Sequence, residues 1–277
     1  MKVVTTVAEL RDALSDAPRP VGFVPTMGAL HEGHLSLVRA ARHRCDSVVM
    51  SIFVNPLQFG AGEDFDRYPR PEGADVAAAE SEKVDLLFMP SVDEMYPEDR
   101  STIVSVGGIT DRYEGAVRPD HFDGVATVVA KLFGIVQPDV AFFGQKDAQQ
   151  LAVVRRVVAD LSMPIEIVSG ETVREGDGLA MSSRNAYLSS EDRRRATSLW
   201  AALQAGAEAV RNGASTGEAE RAMVGILEAS TDGVDYAAVV DPDTFVPPAP
   251  GRPHLLIVAA RLGETRLIDN LLVEDIR

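Results

Sequence analysis

The first 170 residues carry five apolar segments, at residues 21–24, 48–54, 86–89, 140–143 and 165–168. Each is read as a continuous apolar run, not an alternation of apolar and polar positions, although Ser51 and Glu166 interrupt two of them. Runs of this length suit strands of a parallel sheet that is covered on both faces. Between them the apolar positions recur at helical spacing. Val125, Val128, Val129, Leu132 and Val136 form one stripe across residues 124–136. Leu151, Val154, Val157, Val158 and Leu161 form another across residues 148–161. Strand alternating with helix predicts right-handed crossovers and an α/β, doubly wound parallel sheet. Ligands of such sheets bind beyond the carboxyl ends of the strands. Three chemically loaded segments follow strands in this way: residues 25–34, 55–60 and 144–147.

The pattern changes after residue 170. Residues 171–178 are polar and glycine-bearing, as expected of a linker. Ser190 is placed to cap a long helix running to about Asn212, with Gly213 as its stop. Ser215 and Glu218 have the spacing of a capping box for a second helix. Short β patterns follow at residues 236–240, 255–260 and 266–268, and the proline-rich residues 247–251 mark a loop. The expectation is two domains. Residues 1–174 hold the parallel sheet, and residues 175–277 form a smaller C-terminal α+β lid.

The segment with the most chemistry in it is His31-Glu32-Gly33-His34, after the strand and the Pro/Gly turn of residues 21–30. Two imidazoles three residues apart share a helix face. A helix starting there aims free N–H groups and its positive dipole end at an anion. A phosphate site follows, with the imidazoles donating hydrogen bonds as charge builds on phosphoryl oxygens. Zinc is a minor alternative, because no third ligand stands nearby.

Gly144-Gln145-Lys146-Asp147 follows another strand and opens a helix. Lys146 can neutralise phosphate there, and Asp147 can cap the helix or touch a ribose. An ordinary helix start with a solvated lysine is the competing reading. Gln149 and Gln150 place amides at the same helix start. Met181-Ser182-Ser183-Arg184-Asn185 offers two hydroxyls and a guanidinium in a mobile loop, which makes a phosphate clamp or a serine-rich turn. Asn55 and Gln58 lie just past the strongest apolar strand, where amides can recognise a substrate. Asp75 and the acidic residues 63–68 can help hold Mg²⁺ with ATP; acidic surface is the alternative.

Composition narrows the partners. The chain has 277 residues, 45% of them hydrophobic, and a formal net charge of −15. That balance argues against nucleic acid, whose phosphates are held by an excess of Lys and Arg. The single cysteine, Cys45, cannot form an internal disulfide. No run approaches the roughly 18 apolar residues of a membrane helix. The N-terminus lacks the apolar core of a signal peptide, so the expected location is cytoplasmic, without a membrane partner. A G-x-x-x-x-G-K-[ST] loop and a G-x-G-x-x-G fingerprint are both absent.

Six motifs in order resemble the pantothenate synthetases, or pantoate–β-alanine ligases, across almost the whole chain. They are residues 24–34, 53–59, Tyr68-Pro-Arg70, His121-Phe-Asp-Gly124, Phe142-Phe-Gly-Gln-Lys-Asp147, and Asp177-Gly-Leu-Ala-Met-Ser-Ser-Arg-Asn185. The family shares an H-x-G-H signature with class I aminoacyl-tRNA synthetases. The resemblance implies a Rossmann-like first domain, a C-terminal lid and a cytoplasmic homodimer. It implies ATP contacts at Met27, Gly28, Ala29, Leu30, His31, Glu32, Gly33 and His34. Further ATP contacts are implied at Gly144, Gln145, Lys146, Asp147, Val173, Met181, Ser182, Ser183 and Arg184. Gln58 and Gln150 match the family's pantoate-binding glutamines, and Gln58 also lies where β-alanine is met. His34 matches the residue assigned as proton donor. Gln145 departs from the family, which more often carries Glu there.

The implied reaction has two steps. Pantoate carboxylate attacks the α-phosphorus of ATP, giving pantoyl adenylate and pyrophosphate. The amine of β-alanine then displaces AMP. ATP is the co-substrate, Mg²⁺ accompanies it, and His31, His34, Lys146, Ser182, Ser183 and Arg184 are the groups expected to stabilise phosphoryl charge. Two competing readings are a cytidylyltransferase-like enzyme with a nucleotide-linked product and a non-catalytic nucleotide-sensing module.

Overall fold

The computed structural model describes residues 1–274, so residues 275–277 of the expected second domain lie outside it. In chain order the first elements are β1 (Lys2–Val4), α1 (Val7–Ser15), β2 (Val21–Thr26), α2 (Glu32–Arg44), β3 (Ser47–Ile52), α3 (Glu72–Ser81) and β4 (Leu86–Phe88). Next come α4 (Val92–Met95), α5 (Glu114–Val117), α6 (His121–Val136), β5 (Val140–Gly144), α7 (Ala148–Asp160) and β6 (Glu166–Gly170). The remainder comprises α8 (Ser190–Arg195), α9 (Ser198–Arg211), α10 (Thr216–Glu228), β7 (Gly233–Val240), β8 (His254–Leu262) and β9 (Thr265–Val273).

These elements fall into two compact units. One comprises Met1–Gly107, Arg118–Gly144 and Val153–Glu171; the other comprises Gly108–Val117, Gln145–Ala152 and the described residues from Thr172 onward. In the first unit six strands pair in parallel in the order β1-β4-β3-β2-β5-β6. The chain builds outward from β2 through β3 to β4, then returns to place β5 on the other side of β2. The order therefore reverses between β2 and β5. That reversal is the crevice where doubly wound sheets take their ligands.

Burial on both faces explains the continuous apolar runs. Val24, Met50 and Phe142 join Leu37, Val38 and Ala41 of α2 in one core. The intervening residue Phe23 points the other way and meets Phe133 of α6 edge-on, with ring centroids 6.4 Å apart; Phe133 meets Phe143 in turn at 6.3 Å. The period of two along each strand thus feeds two cores.

In the second unit β7, β8 and β9 form an antiparallel sheet. Leu199 and Leu203 of α9, Met223 and Leu227 of α10, and Leu256 and Val258 of β8 share its core. The single helix expected from Ser190 to Asn212 is two helices. Ser189, not Ser190, caps α8 by accepting from the Asp192 N–H. Thr197 interrupts the run by donating its hydroxyl to the Arg194 carbonyl at 2.8 Å, a side-chain bond that competes with helix continuation. Residues 171–178, expected as a linker, close a small hairpin instead: Arg174 bridges Ala180, and the Glu175 N–H donates to the Leu179 carbonyl.

Candidate active site

The turn between β2 and α2 is held by a buried carboxylate. Gly28 and Ala29 both adopt left-handed backbone, with φ of 82° and 49°. For alanine that conformation is unfavourable by roughly 1–2 kcal/mol. Asp75, 3% exposed, offsets it by accepting the Ala29 N–H at 2.9 Å and the Leu30 N–H at 2.8 Å, one on each oxygen. The residue expected as a tentative Mg²⁺ ligand therefore anchors the turn that presents the histidines.

His31 is the N-cap of α2 and His34 its third helical residue. His31 Nδ1 accepts from the Gly33 N–H at 3.1 Å, and His34 Nδ1 accepts from the His31 N–H at 3.3 Å. This is a capping box with imidazoles in place of the usual hydroxyl and carboxylate. The rings stack with centroids 4.1 Å apart. A Cβ on Gly33 would sit 2.9 Å from His31 Cε1, so the glycine of the motif makes room for the ring. An Nδ1 that accepts an N–H carries no proton. Each neutral ring therefore carries its proton on Nε2, a donor whose direction is set by the cap. The backbone differs from expectation here. The Gly33 N–H belongs to the His31 ring and the His34 N–H to the His31 carbonyl, so two of the amides expected to be free are engaged within the cap. Glu32 turns to Arg39 on the next turns of α2.

Gln58 lies in a short helical turn, Pro56–Gln58, beyond β3. Its carbonyl oxygen meets His121 Nδ1 at 2.8 Å and accepts from Arg118 at 3.2 Å. Its side-chain Oε1 accepts from Asn55 Nδ2 at 3.1 Å, and its Nε2 donates to Met27 Sδ at 2.8 Å. Asn55 is 1% exposed and fully engaged: it also donates to the Gly124 carbonyl and accepts from Leu57 N–H and the Tyr96 hydroxyl. Its amide fixes Gln58, a role its position past a strand did not reveal. Burial pushes the Tyr96 phenol up, away from ionisation. Within this unit the structure thus brings Gln58 to Met27, in the segment that leads into the H-x-G-H cap.

Within the other unit Lys146 sits in the turn Gln145–Asp147, its ammonium 3.6 Å from Asp147. Of the two adjacent glutamines, Gln149 is a structural residue. It donates to the Ile109 and Arg112 carbonyls and accepts from the Glu114 N–H. Gln150 is half-buried at the start of α7. Val173 accepts the Met181 N–H at 2.9 Å, and Ser182 caps the turn Ser183–Tyr187 by accepting from Arg184 N–H. The hairpin therefore joins Val173 to the segment Met181–Arg184. Asn185 ties its base, donating to Glu175 and to the Ala180 carbonyl. Among the described residues, no three His, Cys, Asp or Glu side chains gather as a metal site. No described helix is long and apolar enough to cross a membrane.

The geometry defines a class: a doubly wound α/β protein with an H-x-G-H helix N-terminus at the switch point of its sheet. Comparison with known proteins narrows that class. A family model described as pantoate-beta-alanine ligase matches residues 2–272. A pantothenate synthetase of Thermus thermophilus is 56% identical over 275 residues, covering 98% of this chain and 99% of the relative. One from Acidothermus cellulolyticus is 54% identical over 274 residues, covering 97% and 90%. The crystal structure of the Thermus thermophilus enzyme superposes with a TM-score of 0.93 at 55% identity, covering 98% of this chain and 99% of that one. A pantoate-beta-alanine ligase from Francisella tularensis, complexed with beta-gamma ATP and beta-alanine, superposes with a TM-score of 0.83 at 31% identity, covering 98% and 97%. The chain belongs to the pantoate–beta-alanine ligase family.

Proposed function

We propose that the chain condenses pantoate with β-alanine at the expense of ATP, releasing AMP and pyrophosphate through a pantoyl-adenylate intermediate. The observation that carries the reading is the imidazole capping box, which gives two neutral rings with directed Nε2–H donors at the end of β2. The Francisella relative bound to a nucleotide and β-alanine supports it.

In the first step the pantoate carboxylate attacks the α-phosphorus and pyrophosphate leaves. Charge grows on phosphoryl oxygens, where His31, His34, Lys146, Ser182, Ser183 and Arg184 donate hydrogen bonds or positive charge. The ATP itself is held along Met27, Gly28, Ala29, Leu30, Glu32 and Gly33, and along Gly144, Gln145, Asp147, Val173 and Met181. Gln58 and Gln150 bind pantoate through their amides. In the second step the β-alanine amine attacks the acyl carbon, and AMP leaves with the C–O bond electrons. Mg²⁺ would be held mainly by water and triphosphate oxygens and would neutralise phosphoryl charge there. The enzyme works as a cytoplasmic homodimer, without nucleic acid or a membrane as partner.

Pantoate-dependent exchange of labelled pyrophosphate into ATP tests the first step. His34→Ala and Lys146→Ala are each expected to lose on the order of 10²–10³ in exchange while remaining folded. Gln58→Ala is expected to raise the KM for pantoate more than that for ATP. Product analysis tests the second step: free AMP with an amide product supports the ligase, whereas a nucleotide retained in the product overturns it.

A further inference from the structure

Two consecutive residues of β9, Asp269 and Asn270, are polar and buried, at 3% and 4% exposure. A strand places them on opposite faces. A buried amide or carboxylate is unfavourable unless its hydrogen bonds are satisfied, and apolar side chains of similar volume would hold the strand as well or better. Both are satisfied, in a pattern that ends at Lys146. Asn270 Nδ2 donates one hydrogen to the Gln145 carbonyl at 2.9 Å and the other to the Lys146 carbonyl at 2.8 Å. Only an amide nitrogen offers two such hydrogens, so the orientation of the side chain is fixed. Its Oδ1 lies 3.4 Å from the Gln145 side-chain amide, which closes the fork. Behind it, Asp269 accepts from the Asn270 N–H at 2.7 Å and pairs with Arg174 through two bonds of 2.6 and 2.9 Å. The Arg174 guanidinium stacks 3.8 Å from the Trp200 ring centroid and donates to the Gly178 carbonyl. The Val173–Met181 hairpin and the Lys146 turn are thus tied to the same strand.

We propose that Asn270, seated by the Asp269–Arg174 pair, is a positioning residue that fixes the backbone of the Gln145–Asp147 turn so that the Lys146 ammonium meets the phosphoryl group. The inference rests on the proposed contact of Lys146 with ATP. A carbonyl oxygen has two lone pairs, so the Asn270 bonds add to the α7 backbone bonds without replacing them. Their removal frees the orientation of the turn and leaves the helix in place. Misplacement of a reacting group by about 1 Å can cost on the order of 10²-fold in rate.

A double-mutant cycle on the full-length protein decides the matter, read as kcat and KM for pantoate-dependent pyrophosphate exchange with thermal unfolding as control. Asn270→Ala is expected to lower kcat about 10- to 100-fold, with little change in the KM for pantoate. Adding it to Lys146→Ala is expected to cause less than about a threefold further loss, because the group being positioned is gone. Arg174→Lys, which keeps the charge but not the two-point grip on Asp269, is expected to show the same loss and the same non-additivity. It carries the test if Asn270→Ala does not fold. Losses that multiply with that of Lys146→Ala, or a kcat within threefold of wild type in a folded Asn270→Ala protein, overturn the positioning role. A near-normal Lys146→Ala protein overturns the Lys146 assignment instead.

Discussion

At the scale of single residues, the two histidines each do two things that a substitution can separate. Nδ1 builds the helix N-terminus, and Nε2–H is the donor proposed to meet substrate. Asparagine is among the best N-cap residues, and glutamine suits the third position of a capping box. His31→Asn and His34→Gln therefore keep the cap and remove the imidazole donor. Both variants are expected to unfold within about 0.5 kcal/mol of wild type yet lose on the order of 10²–10³ in pyrophosphate exchange. His31→Ala is expected to lose about 1 kcal/mol of stability as well. Chemical denaturation alongside the exchange assay checks this. Retained activity in His31→Asn would assign the ring to the cap alone. Asp75 is a residue whose charge suggested metal, and its two oxygens stabilise the left-handed turn that leads into the histidines.

At the scale of elements, α6 and the Pro56–Gln58 turn come so close that only glycine fits between them. A Cβ on Gly124 would stand 2.3 Å from the Leu57 carbonyl oxygen and 2.7 Å from the Gln58 nitrogen. The obstacle is backbone, so helix and turn must part. Gly124→Ala is expected to destabilise by about 1–3 kcal/mol and to raise the KM for pantoate, since Gln58 rides on the displaced turn. Steady-state kinetics of a folded variant checks it; an unchanged KM would separate the packing from Gln58. The sequence showed His121-Phe-Asp-Gly124 as a motif but not this reason for it. What was legible follows the same logic. β2, β4 and β5 were readable because burial on both faces leaves no polar position in residues 21–24, 86–88 and 140–143. β1 was not, because it is three residues long and Val3 is 45% exposed. The H-x-G-H cap announced itself by local spacing. The supports of Gln58 and Lys146 did not, because Asn270 reaches Lys146 across 124 positions of chain, where no local pattern connects them.

At the scale of the whole molecule, 42 acidic against 27 basic residues leave the net charge at −15, so long-range repulsion opposes local ion pairing. Hydrogen bonds from Arg193 hold the Asp177 carboxyl below the usual carboxylate range, and those from Arg195 do the same for Asp232. Burial would raise Glu63 and Asp139, but Arg118 on the first, and the Val21 N–H with Arg19 on the second, outweigh it and bring both down. A carboxyl whose folded pKa is depressed contributes stability above its unfolded pKa, near 4, and loses it as pH falls through the folded value. Asp269 has the opposite sign: burial raises its carboxyl, so what it contributes is present at low pH and lost as pH rises through its folded value. With Glu9, Glu218 and Asp241, which hydrogen bonds also lower, seven lowered carboxyls stand against one raised among the described residues, and they predict a steep loss of stability below about pH 4. Salt separates this from the net repulsion. Exposed ion pairs are worth about 0–1 kcal/mol each, whereas repulsion is summed over the whole surface, and the Debye length falls from about 30 Å at 0.01 M to about 10 Å at 0.1 M. Raising salt over that range is therefore expected to increase Tm at pH 7, and to do so less near pH 5, where protonation has begun to remove the excess negative charge. Calorimetric scans at both pH values check the balance: a Tm that falls with salt at pH 7 would mean that the Arg193 and Arg195 pairs outweigh the repulsion of the whole.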